Sequence, residues 1–189
     1  MRLDLLAFHL PAPHLDSERT IWRTYHHSDY HQRKSIEQSV RQICSTRLHI
    51  TQTTNNMEEV YAFLKACGTY YLATMDGEQP RVRPFGSYAI YNGRLYIETA
   101  HYKPVSHQID AHPQVEICAF DNESKWVRIA CRLVADESYE AKHAFLEQMP
   151  ELRDMGYDET GDKMAIYYMA DAEATFSSYT EAPRIVTFG

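Results

Sequence analysis

Turn signals at regular spacing constrain this chain more than any other feature of its sequence. Asp76-Gly77 and Asn92-Gly93 are dipeptides that favour tight β-hairpin turns. The segments around them are rich in β-branched and aromatic residues, which favour strands. The predicted strands are residues 69–75, 81–91, 94–99, 115–120, 125–134, 164–168 and 172–178, with a further candidate at 184–187. Six or seven mostly antiparallel strands with short helices between them predict a mainly β chain that closes into a small barrel.

The helices predicted between these strands have recognisable boundaries. Asn56 is a candidate N-cap for a helix that would end near Gly68. Pro104 suits the first turn of a second helix, which would run to about Ala111. A third helix is predicted over residues 138–148. The predicted strands therefore outnumber the predicted helices.

Composition excludes several classes of function. The formal net charge of −7 argues against a general nucleic-acid binder, since phosphate contacts need a basic surface. No apolar run is long enough to span a bilayer, and residues 1–10 lack a convincing signal-peptide cleavage site. None of the four cysteines has C-x-x-C spacing, so neither a zinc site nor a disulfide framework is indicated. Reduced thiols in a cytoplasmic protein are therefore expected.

The first 56 residues differ in character from the rest. They contain no glycine and carry seven Lys or Arg against five acids, a net charge of +2, which leaves −9 on the remainder. We expect residues 1–56 to be a disordered extension or the product of a mis-assigned start, with the folded domain over residues 57–189. His27 and His31 have the i, i+4 spacing of metal ligands on a helix, but no third ligand is apparent and no metal site is expected.

The run QPRVRPFG at residues 79–86 is the strongest sign of a binding site. Arg81 and Arg83 are two residues apart in a strand, so both side chains point to the same face. Two like charges on one face repel each other, and an anionic ligand such as phosphate would relieve that repulsion. Pro84 removes one backbone donor, so the strand cannot be fully paired there.

The order of these features resembles the pyridoxamine 5′-phosphate oxidase-like flavin-binding split barrels, and within them the nitroimidazole-resistance (Nim) type. The resemblance covers roughly residues 57–188. It rests on GTYYLAT at 68–74, QPRVRPFG at 79–86, LYIET at 95–99, QIDAHPQVEI at 108–117, WVRI at 126–129 and TFSSY at 175–179. It implies a six- to seven-stranded antiparallel split barrel that forms a homodimer, with FMN in the groove between the subunits.

The resemblance also implies which residues contact the cofactor. Arg83 matches the family arginine at the start of the flavin-contacting strand, and Glu98 and Thr99 match the strand end that touches the ribityl phosphate. Because a carboxylate would repel a phosphate, we expect the backbone of Glu98 rather than its side chain to make this contact. Trp126 falls where the oxidases carry a contact from the second subunit. The full set of candidate cofactor contacts is Arg81, Arg83, Pro84, Phe85, Ser87, Glu98, Thr99, His101, Lys103 and Trp126.

The sequence departs from the oxidases at the phosphate-binding cations. The family Ser-Arg-Lys run aligns with Lys103, Pro104 and Val105, so both expected cations are missing and Lys103 is the replacement candidate. The substrate-binding segment and C-terminal Trp/Arg pair of the oxidases are not found either. We therefore expect an FMN-dependent oxidoreductase acting on a small molecule, with NAD(P)H as a candidate electron donor. A non-catalytic flavin module, or a split barrel that binds deazaflavin or haem, is the alternative.

Overall fold

The computed structural model describes the backbone of residues 18–189 and the side chains of Gln32 and residues 34–189. Residues 1–10, where no signal peptide is expected, and the side chains of His27 and His31 lie outside the described residues. The chain divides into two compact units, Met1–Leu48 and His49–Gly189.

Helix α1 spans Glu18–Cys67, so it begins well before the predicted cap at Asn56. Within the first unit its described side chains are exposed, among them Ile36, Val40 and Ile43. The disorder or alternative start expected for residues 1–56 stays a prediction.

In the second unit the last turns of α1 pack on the sheet. Met57, Val60 and Leu64 are buried at the i, i+3, i+7 spacing that places them on one helix face. Gly68 ends the helix as predicted: its φ of 71° is in the left-handed region, and its N–H donates to the carbonyl of Leu64 over 3.0 Å.

Eight strands form one antiparallel sheet in the described part of the chain. They are β1 (Tyr70–Asp76), β2 (Gln79–Phe85), β3 (Ala89–Tyr91), β4 (Arg94–Ala100), β5 (Gln114–Phe120), β6 (Lys125–Ala135), β7 (Met164–Ser178) and β8 (Arg184–Phe188). Their order is β2-β1-β5-β6-β7-β4-β3, with β8 paired to β7. The mainly β split barrel is thus confirmed. The sheet does not join β2 to β3, however, so full closure was a wrong expectation.

Three predicted strand segments differ from the structure. The segment predicted over residues 81–91 breaks after Phe85 and yields β2 and β3. The two predicted late strands are instead one strand, β7, whose ladder with β6 shifts register between Ala130 and Arg132. Asp171 absorbs this bulge with a φ of 54°, so the strand continues through a point where the residue pattern indicates a break.

Three helices complete the unit. They are α2 (Pro104–Ala111), α3 (Tyr139–Gln148) and α4 (Glu151–Asp154), and the first two agree with the predicted bounds to within a residue. No helix among the residues that the structure describes is long and apolar enough to cross a membrane.

Strand β4 is buried on both faces, and this arrangement positions the site. Leu95 and Ile97 belong to the main core under helix α1. Tyr96 and Ala100 point to the opposite face and join a second apolar cluster with residues of α3 and α4. Since side chains alternate along a strand, Glu98 shares the face of Tyr96 and lies on the side of α3 and α4.

Candidate functional site

A pocket of about 320 Å³ lies between the end of β2, strand β4 and the residues around α4. We call it the β2–α4 pocket; its lining residues are Pro84, Phe85, Gly86, Ser87, Glu98, Lys103, Met149, Glu151, Leu152 and Met155. Half of the predicted cofactor contacts line it, namely Pro84, Phe85, Ser87, Glu98 and Lys103. The fold therefore brings together three separate stretches of the predicted site.

Ser87 holds the segment after β2 in place and is itself buried. Its hydroxyl donates to the backbone carbonyl of Glu98 over 3.2 Å, and its own carbonyl accepts a hydrogen bond from the Tyr70 hydroxyl over 2.8 Å. The Tyr70 ring also packs against Phe85, with ring centroids 5.7 Å apart. One wall of the pocket is thus tied to both β4 and β1.

Glu98 is the most unusual group in the pocket. It is only 6% exposed, and its Oε1 atom has no hydrogen-bond partner among the described residues. Loss of water around the carboxyl raises the pKa of Glu98, while a hydrogen bond from Tyr157 and the positive charge of Lys103 act in the opposite direction. A buried carboxyl oxygen without a partner is costly, so it requires an explanation.

Lys103 and Tyr157 lie beside Glu98 and complete a polar cluster. The Lys103 ammonium donates to the Tyr157 hydroxyl over 3.4 Å. Tyr157 is buried, and the Lys163 ammonium lies 4.2 Å from its ring centroid while donating to the carbonyl of Met155. Burial and the neighbouring Glu98 carboxyl raise the pKa of Tyr157, so this hydroxyl keeps its proton.

Arg83, the strongest cofactor candidate of the sequence, points elsewhere. Its guanidinium donates to the Leu72 carbonyl over 3.2 Å, to the Thr74 hydroxyl over 2.6 Å and to the Gln108 side-chain carbonyl over 2.7 Å. Burial, and then the charge of Arg81, lower the pKa of Arg83. The guanidinium therefore links β2, β1 and α2, and it does not line the β2–α4 pocket.

Arg81 forms an ion pair at the protein surface. Its guanidinium lies 3.1 Å from the Asp76 carboxylate, and both side chains are about half exposed. Such an ion pair contributes little to stability, because water screens it. Arg81 also lies outside the lining of the β2–α4 pocket.

Thr99 and His101 flank the pocket without lining it. Thr99 is buried on the main-core face of β4, and its hydroxyl oxygen has no hydrogen-bond partner within residues 18–189. The His101 ring lies 3.4 Å from one Glu137 oxygen, and the other Glu137 oxygen pairs with the buried Lys142 ammonium over 2.6 Å. His101 thus belongs to a separate polar group.

Trp126 lies in a different pocket of about 370 Å³, which we call the Trp126 pocket. Its lining residues are Glu59, Ala62, Phe63, Lys125, Trp126, Phe176, Ser177, Ser178, Glu181, Ala182 and Arg184. Trp126 also packs against Tyr179, with ring centroids 5.5 Å apart, and Arg184 pairs with Glu59. In the described part of the chain, the two pockets have no lining residue in common.

Sequence reasoning missed the α4 side of the β2–α4 pocket. Met149, Glu151, Leu152 and Met155 lie between the motifs at 126–129 and 175–179 and belong to no recognisable motif themselves. Tyr157 was missed as well. Only packing of α3 and α4 on strands β3 and β4 places these residues at the site.

Among the described side chains, no group of three His, Cys, Asp or Glu residues is arranged to hold a metal ion.

A family model and a solved structure identify the same protein family. Residues 57–172 match the family model described as pyridoxamine 5′-phosphate oxidase. A crystal structure of a NimC/NimA family protein from Clostridium acetobutylicum is similar over 74% of this chain and 97% of its own chain, with 34% identity and a TM-score of 0.71. A comparison with curated proteins finds no significant match.

More distant structures share the architecture. General Stress Protein 26 from Bacillus anthracis is 11% identical over 71% of this chain and 98% of its own, with a TM-score of 0.56. The heme storage protein HutZ from Vibrio cholerae is 18% identical over 62% of this chain and 91% of its own, with a TM-score of 0.50. At these identities the two likenesses show the fold alone.

Proposed function

The chain belongs to the pyridoxamine 5′-phosphate oxidase family, and from this premise we propose that it binds FMN and passes electrons or a hydride to a small molecule. The observation that carries the proposal is the convergence of five predicted cofactor contacts on the β2–α4 pocket. FMN would supply the redox chemistry, and the protein would supply orientation and electrostatics.

The pocket fits the flavin ring better than it fits the phosphate. Phe85, Met149, Leu152 and Met155 provide apolar walls for a planar ring. The charged lining residues are one lysine and two glutamates. The lysine supplies hydrogen-bond donors and the glutamates supply acceptors. These groups do not form the cluster of cations that a phosphate prefers.

We further propose that the complete site needs two copies of the chain. Trp126 and Lys103 are both candidate cofactor contacts, yet they line separate pockets of one described chain. In a homodimer, the β2–α4 pocket of one subunit would be completed by the Trp126 pocket of the other. This arrangement agrees with the contact from a second subunit that the family resemblance implies for Trp126.

Mixing two variants tests the shared site. Lys103→Met and Trp126→Ala should each weaken FMN binding on their own. A mixed dimer contains one site with both substitutions and one with neither, so co-refolding the variants should restore FMN binding to about a quarter of all sites. Absence of any restoration, with mixed dimers verified by native mass spectrometry, would exclude a shared site.

The absorption spectrum of the purified protein tests the cofactor. We expect the two visible bands of oxidised flavin, and FMN should be identified in the material released on denaturation. A Soret band would indicate that the protein binds haem instead of FMN. A colourless protein that takes up no added FMN would refute the proposal.

Turnover separates an enzyme from a flavin carrier. We expect NAD(P)H oxidation that depends on bound FMN and on a small acceptor, measured by loss of nicotinamide absorbance. A protein that binds FMN but consumes no reduced nicotinamide with any acceptor would be a carrier or sensor.

We also propose that the protein is cytoplasmic. The four cysteines are free thiols in the structure, which supports this location.

A further inference from the structure

A short stretch around helix α4 supplies one whole wall of the β2–α4 pocket. Its lining residues are Met149, Glu151, Leu152 and Met155, and we call residues 149–155 the α4 wall. Helix α4 itself spans only Glu151–Asp154, and a helix of one turn does not hold its shape on its own in water. The position of the α4 wall therefore depends on contacts with the rest of the chain.

The α4 wall is attached to the fold on two sides. On one side Leu152 is 6% exposed and packs in the second apolar cluster with residues of α3. The next residue, Arg153, does not line the pocket. Its guanidinium donates to both carboxylate oxygens of Glu159, over 3.1 Å and 2.7 Å. A bidentate pair of this kind fixes an orientation as well as a distance.

Glu159 joins α4 to helix α3. It lies in the segment between α4 and β7, and its Oε1 atom, which accepts the shorter bond from Arg153, is also 2.8 Å from Nδ1 of His143 on α3. Hydrogen bonds from Arg153 and then from His143 lower the pKa of Glu159 to about 2. The carboxylate is therefore ionised near neutral pH, and one side chain connects the two helices.

The two ends of the α4 wall are held differently. Just before it, the Gln148 side chain donates to the Ile90 carbonyl over 2.9 Å and accepts from the Ile90 N–H over 3.0 Å, which fixes this end on strand β3. At the far end, the Lys163 ammonium donates to the carbonyl of Met155. Because a lysine side chain is long and flexible, the orientation of α4 depends mainly on the pair between Arg153 and Glu159.

We propose that Glu159 is a positioning residue for the β2–α4 pocket: through Arg153 it holds α4 in place, so that Leu152 and Met155 stay against the bound cofactor. Glu159 does not line the pocket itself, and it acts only through α4. The inference rests on the proposed FMN binding, and Glu159 would determine how long FMN stays bound.

Hydrogen exchange of the full-length protein without FMN tests whether Glu159 holds α4. Glu159→Gln keeps the size of the side chain but leaves one acceptor oxygen in place of two, so the bidentate pair is lost. Backbone N–H groups of residues 152, 153, 155, 156 and 157 donate to carbonyls within the same stretch. We expect these amides to exchange about tenfold faster in Glu159→Gln, because a charge-assisted bond no longer opposes local opening.

Glu147→Gln is the matched control, because it removes a carboxylate from the same arginine. The Arg153–Glu147 contact is longer, at 3.4 Å, and the Glu147 side chain is 63% exposed against 12% for Glu159. Water screens such a contact, so this variant should change the exchange rates by less than about twofold.

The rate of FMN release is the second measurement, followed by flavin fluorescence after dilution of the holoprotein. If α4 must open before FMN leaves, release should accelerate by the same factor as exchange, about tenfold in Glu159→Gln. Leu64→Ala controls for a general loss of stability, since Leu64 is fully buried in the main core and not in the cluster around α4. It should lower the urea midpoint but speed FMN release by less than about twofold.

Arg153→Met breaks the same pair from the other side. Combined with Glu159→Gln, it should speed exchange and FMN release no more than about twofold beyond the stronger single variant. Should Glu159→Gln fail to fold, Arg153→Met decides in the same way.

Four results would overturn the inference: unchanged exchange around α4 in Glu159→Gln, equal effects of Glu159→Gln and Glu147→Gln, faster exchange without faster FMN release, or equal acceleration of FMN release by Leu64→Ala. Failure of the proposed function looks different, because the wild type would then bind no FMN. The exchange rates of the protein without FMN would still decide whether Glu159 holds α4.

Discussion

Replacing Arg83 by methionine separates a structural role of this residue from a cofactor-binding one. Methionine keeps the aliphatic length and removes the three hydrogen bonds to Leu72, Thr74 and Gln108. Thr74 and Gln108 are 3% and 8% exposed, but they remain bonded to each other over 2.7 Å. Because the arginine is partly exposed, we expect a net loss of about 2 kcal/mol in the free energy of unfolding.

A loss of this size should lower the melting temperature by about 4–8 °C in a chain of this length. The matched control is Arg81→Met. Its ion pair with Asp76 spans 3.1 Å between side chains that are 52% and 49% exposed. Removal of such a pair should cost less than about 1 kcal/mol. Both variants are measured by urea unfolding and by thermal melting, with FMN titrated into each.

The outcome of the FMN titration decides between two roles for Arg83. If its donors are used inside the fold, FMN affinity in Arg83→Met should stay within about threefold of the wild type once the variant is folded. A loss of more than about a hundredfold in affinity, with the melting temperature of the apoprotein unchanged, would refute this reasoning. It would establish Arg83 as a direct cofactor contact, in agreement with the family resemblance.

Two further predictions concern stability. Burial raises the pKa of Glu98 above its ordinary 4.5, so folding favours the protonated form, and the stability present below about pH 4.5 is lost as pH rises through the pKa of the folded state. Tyr157, Lys103 and Lys163 oppose this rise in the pKa without cancelling it. Relative to the wild type, Glu98→Gln should therefore be more stable at pH 8 than it is at pH 4, as measured by urea unfolding. A stability difference between variant and wild type that is the same at both pH values would contradict this. Leu64→Ala empties a fully buried position in the main core and should cost about 3 kcal/mol by urea unfolding, whereas the exposed Leu48→Ala should cost less than about 0.5 kcal/mol. Similar costs for the two leucines would place the helix–sheet contact elsewhere.

Local chemistry accounts for the elements that the sequence predicts well. Asn92 and Gly93 have φ angles of 47° and 70°, as a tight hairpin turn requires, and Gly77 has a φ of 62°. The bounds of helix α2 also follow from the sequence, since Pro104 suits its first turn and His112-Pro113 its end. These features depend on the few residues around them and therefore need no knowledge of the rest of the fold.

Long-range packing determines the features that the sequence does not predict. The break after Phe85 depends on Ser87, which is held by hydrogen bonds to residues of β1 and β4. The direction of the Arg83 side chain depends on Gln108 of helix α2, 25 residues away in the chain. Neither partner can be identified from the strand pattern.

The candidate site shows the same division. The turns and strands of a mainly β chain follow from the sequence because turn chemistry and strand propensity are local properties. The split barrel and the ten candidate contacts follow from the family resemblance of the motifs. The tertiary structure alone gathers five of these contacts around α4 and places Trp126 in a separate pocket. It also leaves Glu98 buried with a free oxygen. Burial and pocket shape arise from segments far apart in the chain, so they emerge only when α3 and α4 pack against β4.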